Sequence, residues 1–90
     1  MSFSSLTFVG VDANGEYPKP LPWNPVRTGD YSVDCATGRA YYFELHSFML
    51  AKSNPTFLSR VLSAQVEGGK WDGVEIGFSQ ALSEQLMLAA

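Results

Sequence analysis

Four prolines fall within eight residues in Pro18-Lys19-Pro20-Leu21-Pro22-Trp23-Asn24-Pro25, and no other stretch restricts the backbone as much. Each proline fixes φ and removes a backbone donor, so the segment is excluded from a helix interior and from a central strand. The expectation is a polyproline II run lying over a surface. It separates an N-terminal part from a part of helical periodicity.

Upstream, Leu6-Thr7-Phe8-Val9-Gly10-Val11 is apolar and partly β-branched, and Asp12-Ala13-Asn14-Gly15 follows with an Asn-Gly pair. A short strand entering a turn is expected there. Residues 1–33 are therefore read as an extended arm and 34–90 as a helical core of one domain.

From residue 34 the apolar spacing becomes helical. Asp34 and Thr37 both have N-cap chemistry, and Tyr41, Leu45, Phe48 and Lys52 fall on one stripe, widened by Tyr42, Phe43, Met49 and Leu50. A helix apolar over most of its girth suits the middle of a small bundle. A second helix is predicted over 55–67, with Asn54 as N-cap, Pro55 in the first helical position and Gly68-Gly69 as the stop.

The last segment can be read two ways. Val74, Ile76 and Phe78 alternate as in a strand, yet Asp72 and Glu75 have the capping-box spacing, with Trp71 and Ile76 placed as a hydrophobic staple. The capping pattern predicts a helix over 73–89. Gly73 and Gly77 each cost that helix about 1 kcal/mol relative to alanine, so its first turn either frays or packs against a neighbour that needs the room. The expected fold is mainly α, a three-helix core with an extended arm carrying a short β element; the alternative is α+β.

Function is constrained mostly by exclusion. Six Lys and Arg, scattered singly, against nine acids give a net charge of -3, with no basic stripe to track a phosphate backbone. The 73–89 segment contains no Lys or Arg, which argues against a helix-turn-helix recognition helix, although that nucleic-acid regulator remains one alternative. Cys35 and His46 are the only candidates for a nucleophile and base, and eleven residues of helix separate them by roughly 16 Å. An enzyme using that pair or a dimer-shared site is the second alternative. One Cys and one His cannot furnish a zinc site, Asp12-Ala13-Asn14-Gly15-Glu16 lacks the later ligands of a calcium loop, and no phosphate-cradling motif occurs, so no metal or cofactor is expected.

The sequence reading that remains is a small non-catalytic protein-binding module, an inhibitor or adaptor such as a phage or mobile-element accessory protein that blocks a larger host complex. The nominated contact residues are Tyr17, Trp23, Glu75, Glu84 and Met87. The segment Leu82–Ala90 is apolar on more than one side, which suits a protein partner or a homodimer through the last helix. With a single cysteine, no signal-like leader and no membrane-length apolar run, a cytoplasmic setting without membrane contact is expected.

Overall fold

The computed structural model describes residues 2–12, 15, 17 and 19–89. It is mainly α: helices α1 (Tyr31–Lys52), α2 (Thr56–Gly68) and α3 (Gly73–Ala89) pack together beside a two-stranded antiparallel sheet of β1 (Gly10–Asp12) and β2 (Lys19–Leu21). The Asn14 of the expected Asn-Gly turn lies outside the described residues.

The N-terminal part differs from the expected strand over 6–11. Phe3–Ser5 form a single 3-10 turn, and pairing begins only at Gly10, in the register Gly10↔Leu21, Val11↔Pro20 and Asp12↔Lys19. Phe3, Leu6 and Phe8 are instead wedged into the core, with Phe8 completely buried. Burying a residue of that size contributes roughly 1.5–3 kcal/mol, which outweighs a weak strand propensity over a few residues. The Thr7 backbone N–H and hydroxyl both donate to the Glu44 carboxylate and tie this turn to α1. The proline segment is likewise not polyproline II throughout. Its first part is β2, where Pro20 is tolerated because a two-stranded sheet consists only of edges.

Helix α1 begins at Tyr31, three residues before the expected start. Asp30 is the N-cap, and its side chain accepts from Val33 N at 3.2 Å. Neither Asp34 nor Thr37 serves as the cap. Asp34 is buried and turns back to the preceding loop, accepting from Thr28 N at 3.0 Å, Thr28 Oγ1 at 2.7 Å and Gly29 N at 3.2 Å. The Thr28 hydroxyl and amide, helped by the Gly29 amide, hold its carboxyl below the usual range despite burial. Asp34→Ala is expected to leave these donors without a partner. Amide hydrogen exchange at Thr28 and Gly29 should then accelerate while the middle of α1 stays protected; unchanged exchange at both would count against this anchoring role.

Helix α2 starts one residue later than expected, at Thr56, although Asn54 Oδ1 still accepts from Thr56 N at 3.0 Å. Gly69 closes it with a left-handed φ of 69°, as the Gly68-Gly69 pair predicts. At α3 the Asp72–Glu75 pair caps the first turn, with the Asp72 side chain on the second rather than the third helical amide. Asp72 Oδ1 accepts from Val74 N at 3.2 Å, and Glu75 reaches back to Asp72 N at 3.1 Å.

Helices α1 and α3 form the main helix interface and run parallel, with α2 as the return segment between them. Glycines set their separation. Gly38 faces the Val74 and Phe78 backbone, Gly73 faces Asp34 and Tyr31, and Gly77 faces the Cys35 backbone. A β-carbon built on Gly38 or Gly77 would lie 2.0 Å from the carbonyl oxygen of Val74 or Cys35, respectively. The two α3 glycines thus permit a close crossing rather than a frayed turn. By contrast, α2 is held mainly through side chains, with Phe57 stacked on Phe3 and edge-on to Phe48, and with Val61 fully buried.

Candidate functional site

The most highly organised polar cluster joins the arm to the start of α3. Arg27 Nη1 donates to Asp72 Oδ1 at 2.6 Å and to Glu75 Oε1 at 2.7 Å, while Nη2 donates to Glu75 Oε2. Trp23 Nε1 donates to the same Oε2 at 2.7 Å. The Trp23 ring rests against Phe8, Tyr41 and Phe78, with centroids at 5.5, 5.8 and 5.2 Å. Glu75 is fully buried. Burial alone would raise its carboxyl, but donation from Arg27, Trp23 and the Asp72 and Glu75 backbone overcomes that and brings it down to about 2. Arg27 is held still more firmly as a cation, chiefly by the bond to Glu75.

This cluster decides where two of the five nominated residues lie. Trp23 and Glu75 are brought together, but they face inward as a clamp on the arm. Tyr17 and Met87 remain open to solvent, at 73% and 78% exposed. Glu84 is half exposed and paired with Arg39, whose Nη2 lies 2.7 Å from Oε2. The five therefore do not make one continuous face through their own contacts.

Large apolar side chains are exposed at several places, among them Val26, Tyr31, Leu50 and Trp71, and three follow one another at the end of α3. Along α3, Val74, Phe78 and Ala81 are completely buried, and Gln85 and Leu88 continue that stripe at helical spacing. Leu88 is nevertheless 78% exposed, with Leu86 at 65% beside it. The inward-facing stripe of α3 thus runs out past the part of the molecule that covers it. On α2, Phe57, Leu58, Val61, Leu62 and Gln65 make up the side turned to the rest of the molecule. Val61 and Gln65 are buried, Phe57, Leu58 and Leu62 are half-buried against the core, and Leu58 and Leu62 join the exposed Val66 in lining an open groove of about 600 Å³. Val66 and Arg27 were not singled out by sequence. The i, i+4, i+8 spacing of Leu58, Leu62 and Val66 is the signal that could have shown the groove.

Cys35 and His46 stay on one continuous helix, so the separation expected from sequence holds. The His46 ring nitrogen Nδ1 is 3.2 Å from the Tyr42 hydroxyl. Among the described residues, no three His, Cys, Asp or Glu side chains are grouped to hold a metal ion, and no helix is long and apolar enough to cross a membrane. No protein-family model, curated protein or solved structure matches this chain.

Proposed function

We propose that this chain is a non-catalytic protein-binding module of inhibitor or adaptor type, working in the cytoplasm through the end of α3. One observation carries the reading: the stripe that is fully buried at Val74, Phe78 and Ala81 continues into Leu88, which is 78% exposed among the exposed side chains of Leu86 and Met87. Leu86, Met87 and Leu88 follow one another around the end of the helix and leave its last turn apolar on more than one side, a mark of surface that is covered in use. Tyr17 and Glu84 belong to the proposed contact set as exposed or half-exposed polar-tipped groups. Trp23 and Glu75 support it by fixing the arm and the start of α3.

Two occupants are consistent with such a surface, a foreign protein and a second copy of this chain. Replacing Met87 by the photo-crosslinking residue p-benzoylphenylalanine tests both. Irradiation should give a discrete adduct from position 87, none from the same residue placed at exposed Gln80, and none once Leu88→Glu is added. The adduct's mass separates a homodimer from a foreign partner. Absence of an adduct, or equal adducts from 80 and 87, would sink the proposal.

A further inference from the structure

Independently of the apolar end of α3, we propose that the hollow between the proline-rich arm, the end of α2 and the first turn of α3 binds a small neutral carboxamide, with Gln65 as its hydrogen-bonding partner. The hollow has a volume of about 390 Å³, and its lining includes Trp23, Pro25, Arg27, Gln65, Lys70 and Glu75. That volume lies in the range of small-ligand sites and suits one ring with a polar substituent.

Gln65 gives the hollow its chemistry. It stands in the last part of α2 and is only 5% exposed. Among the described residues, its Nε2 is the one buried side-chain nitrogen or oxygen without a hydrogen-bond partner. Folded proteins rarely leave such a group unbonded, because giving up water without gaining an acceptor is costly. An acceptor brought into the hollow by a ligand removes that cost.

The neighbouring groups decide what kind of acceptor it is. Glu75 Oε1 already accepts from Arg27 Nη1 and Asp72 N, and Oε2 accepts from Arg27 Nη2 and Trp23 Nε1. With two donors on each oxygen, this carboxylate has nothing left for a cationic ligand. An anion gains no net attraction, because the formal charges of Arg27 and Lys70 are balanced by those of Asp72 and Glu75. What remains is a neutral acceptor. A carboxamide matches Gln65 in both directions, its carbonyl accepting from Nε2 while its own N–H₂ donates to Oε1. Pro25 and the Trp23 ring supply apolar surface for the body of the ligand.

The test uses the full chain and nitrogen–proton chemical shifts, with benzamide as probe. Saturable shifts are expected at the Gln65 side-chain N–H₂ and the Trp23 indole N–H. Affinity should be at least about 10-fold above that for benzoate, which keeps the ring and replaces the carboxamide by a carboxylate. Gln65→Met keeps the length of the side chain but removes the amide, and should weaken benzamide binding about 10-fold. An unshifted Trp23 indole signal in the unliganded variant shows that the arm is still in place, and the benzamide–benzoate comparison on the unaltered chain stands whether or not the variant folds. A Gly-Gln-Gly peptide blocked at both ends, with an N-methylamide at its C-terminus, identifies the source. Tighter binding than benzamide assigns the carboxamide to a partner's side chain, and equal or weaker binding assigns it to a free small molecule. No shift at the Gln65 N–H₂, benzoate binding as tightly as benzamide, or undiminished binding by a folded Gln65→Met protein would overturn the inference.

Discussion

Gly77→Ala is expected to destabilise the protein by about 3 kcal/mol or more, whereas helix propensity alone predicts a gain of about 1 kcal/mol. The opposite signs make it a decisive substitution. The added methyl would sit 2.0 Å from the Cys35 carbonyl oxygen, a backbone atom that cannot move without shifting α1. Gly38→Ala meets the Val74 carbonyl oxygen at the same distance and should behave alike. Gly68→Ala is the control: it lies within α2 with nothing within 4 Å of the added carbon, so it should be neutral or slightly stabilising. Urea denaturation followed by circular dichroism measures all three. If Gly77→Ala proves as stable as Gly68→Ala, the close α1–α3 crossing is wrong.

The second large effect is the loss of Glu75. Its folded carboxyl, at about 2, lies below the ordinary value of 4.5. A group depressed in the folded state contributes stability that is fully present above its unfolded pKa and is lost as the pH falls through its folded pKa. A depression of that size corresponds to about 3 kcal/mol, lost between pH 4.5 and about 2. Glu75→Gln presents an amide N–H₂ where Arg27 and Trp23 both need an acceptor, and leaves the guanidinium only Asp72 as a charged partner. The expected cost at pH 7 is about 3 kcal/mol, as for other buried pairs broken on one side. The variant should also lose Glu75's share of the pH dependence in that window, leaving that of Asp34 and Glu84, whose carboxyls are likewise held low. Parallel urea midpoints at pH 7, 4.5 and 3 distinguish the outcomes: a wild-type slope retained in Glu75→Gln would assign the acid sensitivity to other carboxylates.

What could be read from the sequence follows from how far apart the interacting groups lie along the chain. The stop at Gly69 and the Asp72–Glu75 cap were legible because each closes within a few residues. Glu75 was read correctly as a capping residue, and its other partners escaped notice because Arg27 and Trp23 lie 48 and 52 residues away. Asp30 and Asp34 have the same capping chemistry. Only the position of the Thr28–Gly29 loop determines that the first caps the helix while the second holds the loop. Leu6 and Phe8 looked like strand residues because their composition is shared by strands and by core-filling turns. The candidate surface was partly legible too. The surplus of leucine and methionine near the end of α3 showed in the sequence, whereas exposure at Leu88 depends on where its coverage by the rest of the molecule stops.

The parallel arrangement of α1 and α3 has a kinetic consequence. An up-down helical hairpin can form from neighbours in sequence, but the pairing of Gly38 with Val74 and Phe78 must close a loop spanning α2 and both connections. Loop-closure entropy has to be met before that interface stabilises anything, so the rate-limiting event is expected to include the α1–α3 meeting. Substitutions at the crossing should therefore slow refolding, whereas those on the outer face of α2 should mainly hasten unfolding. The glycines that let two backbones touch would then set how fast the chain finds its fold as well as how tightly it holds it.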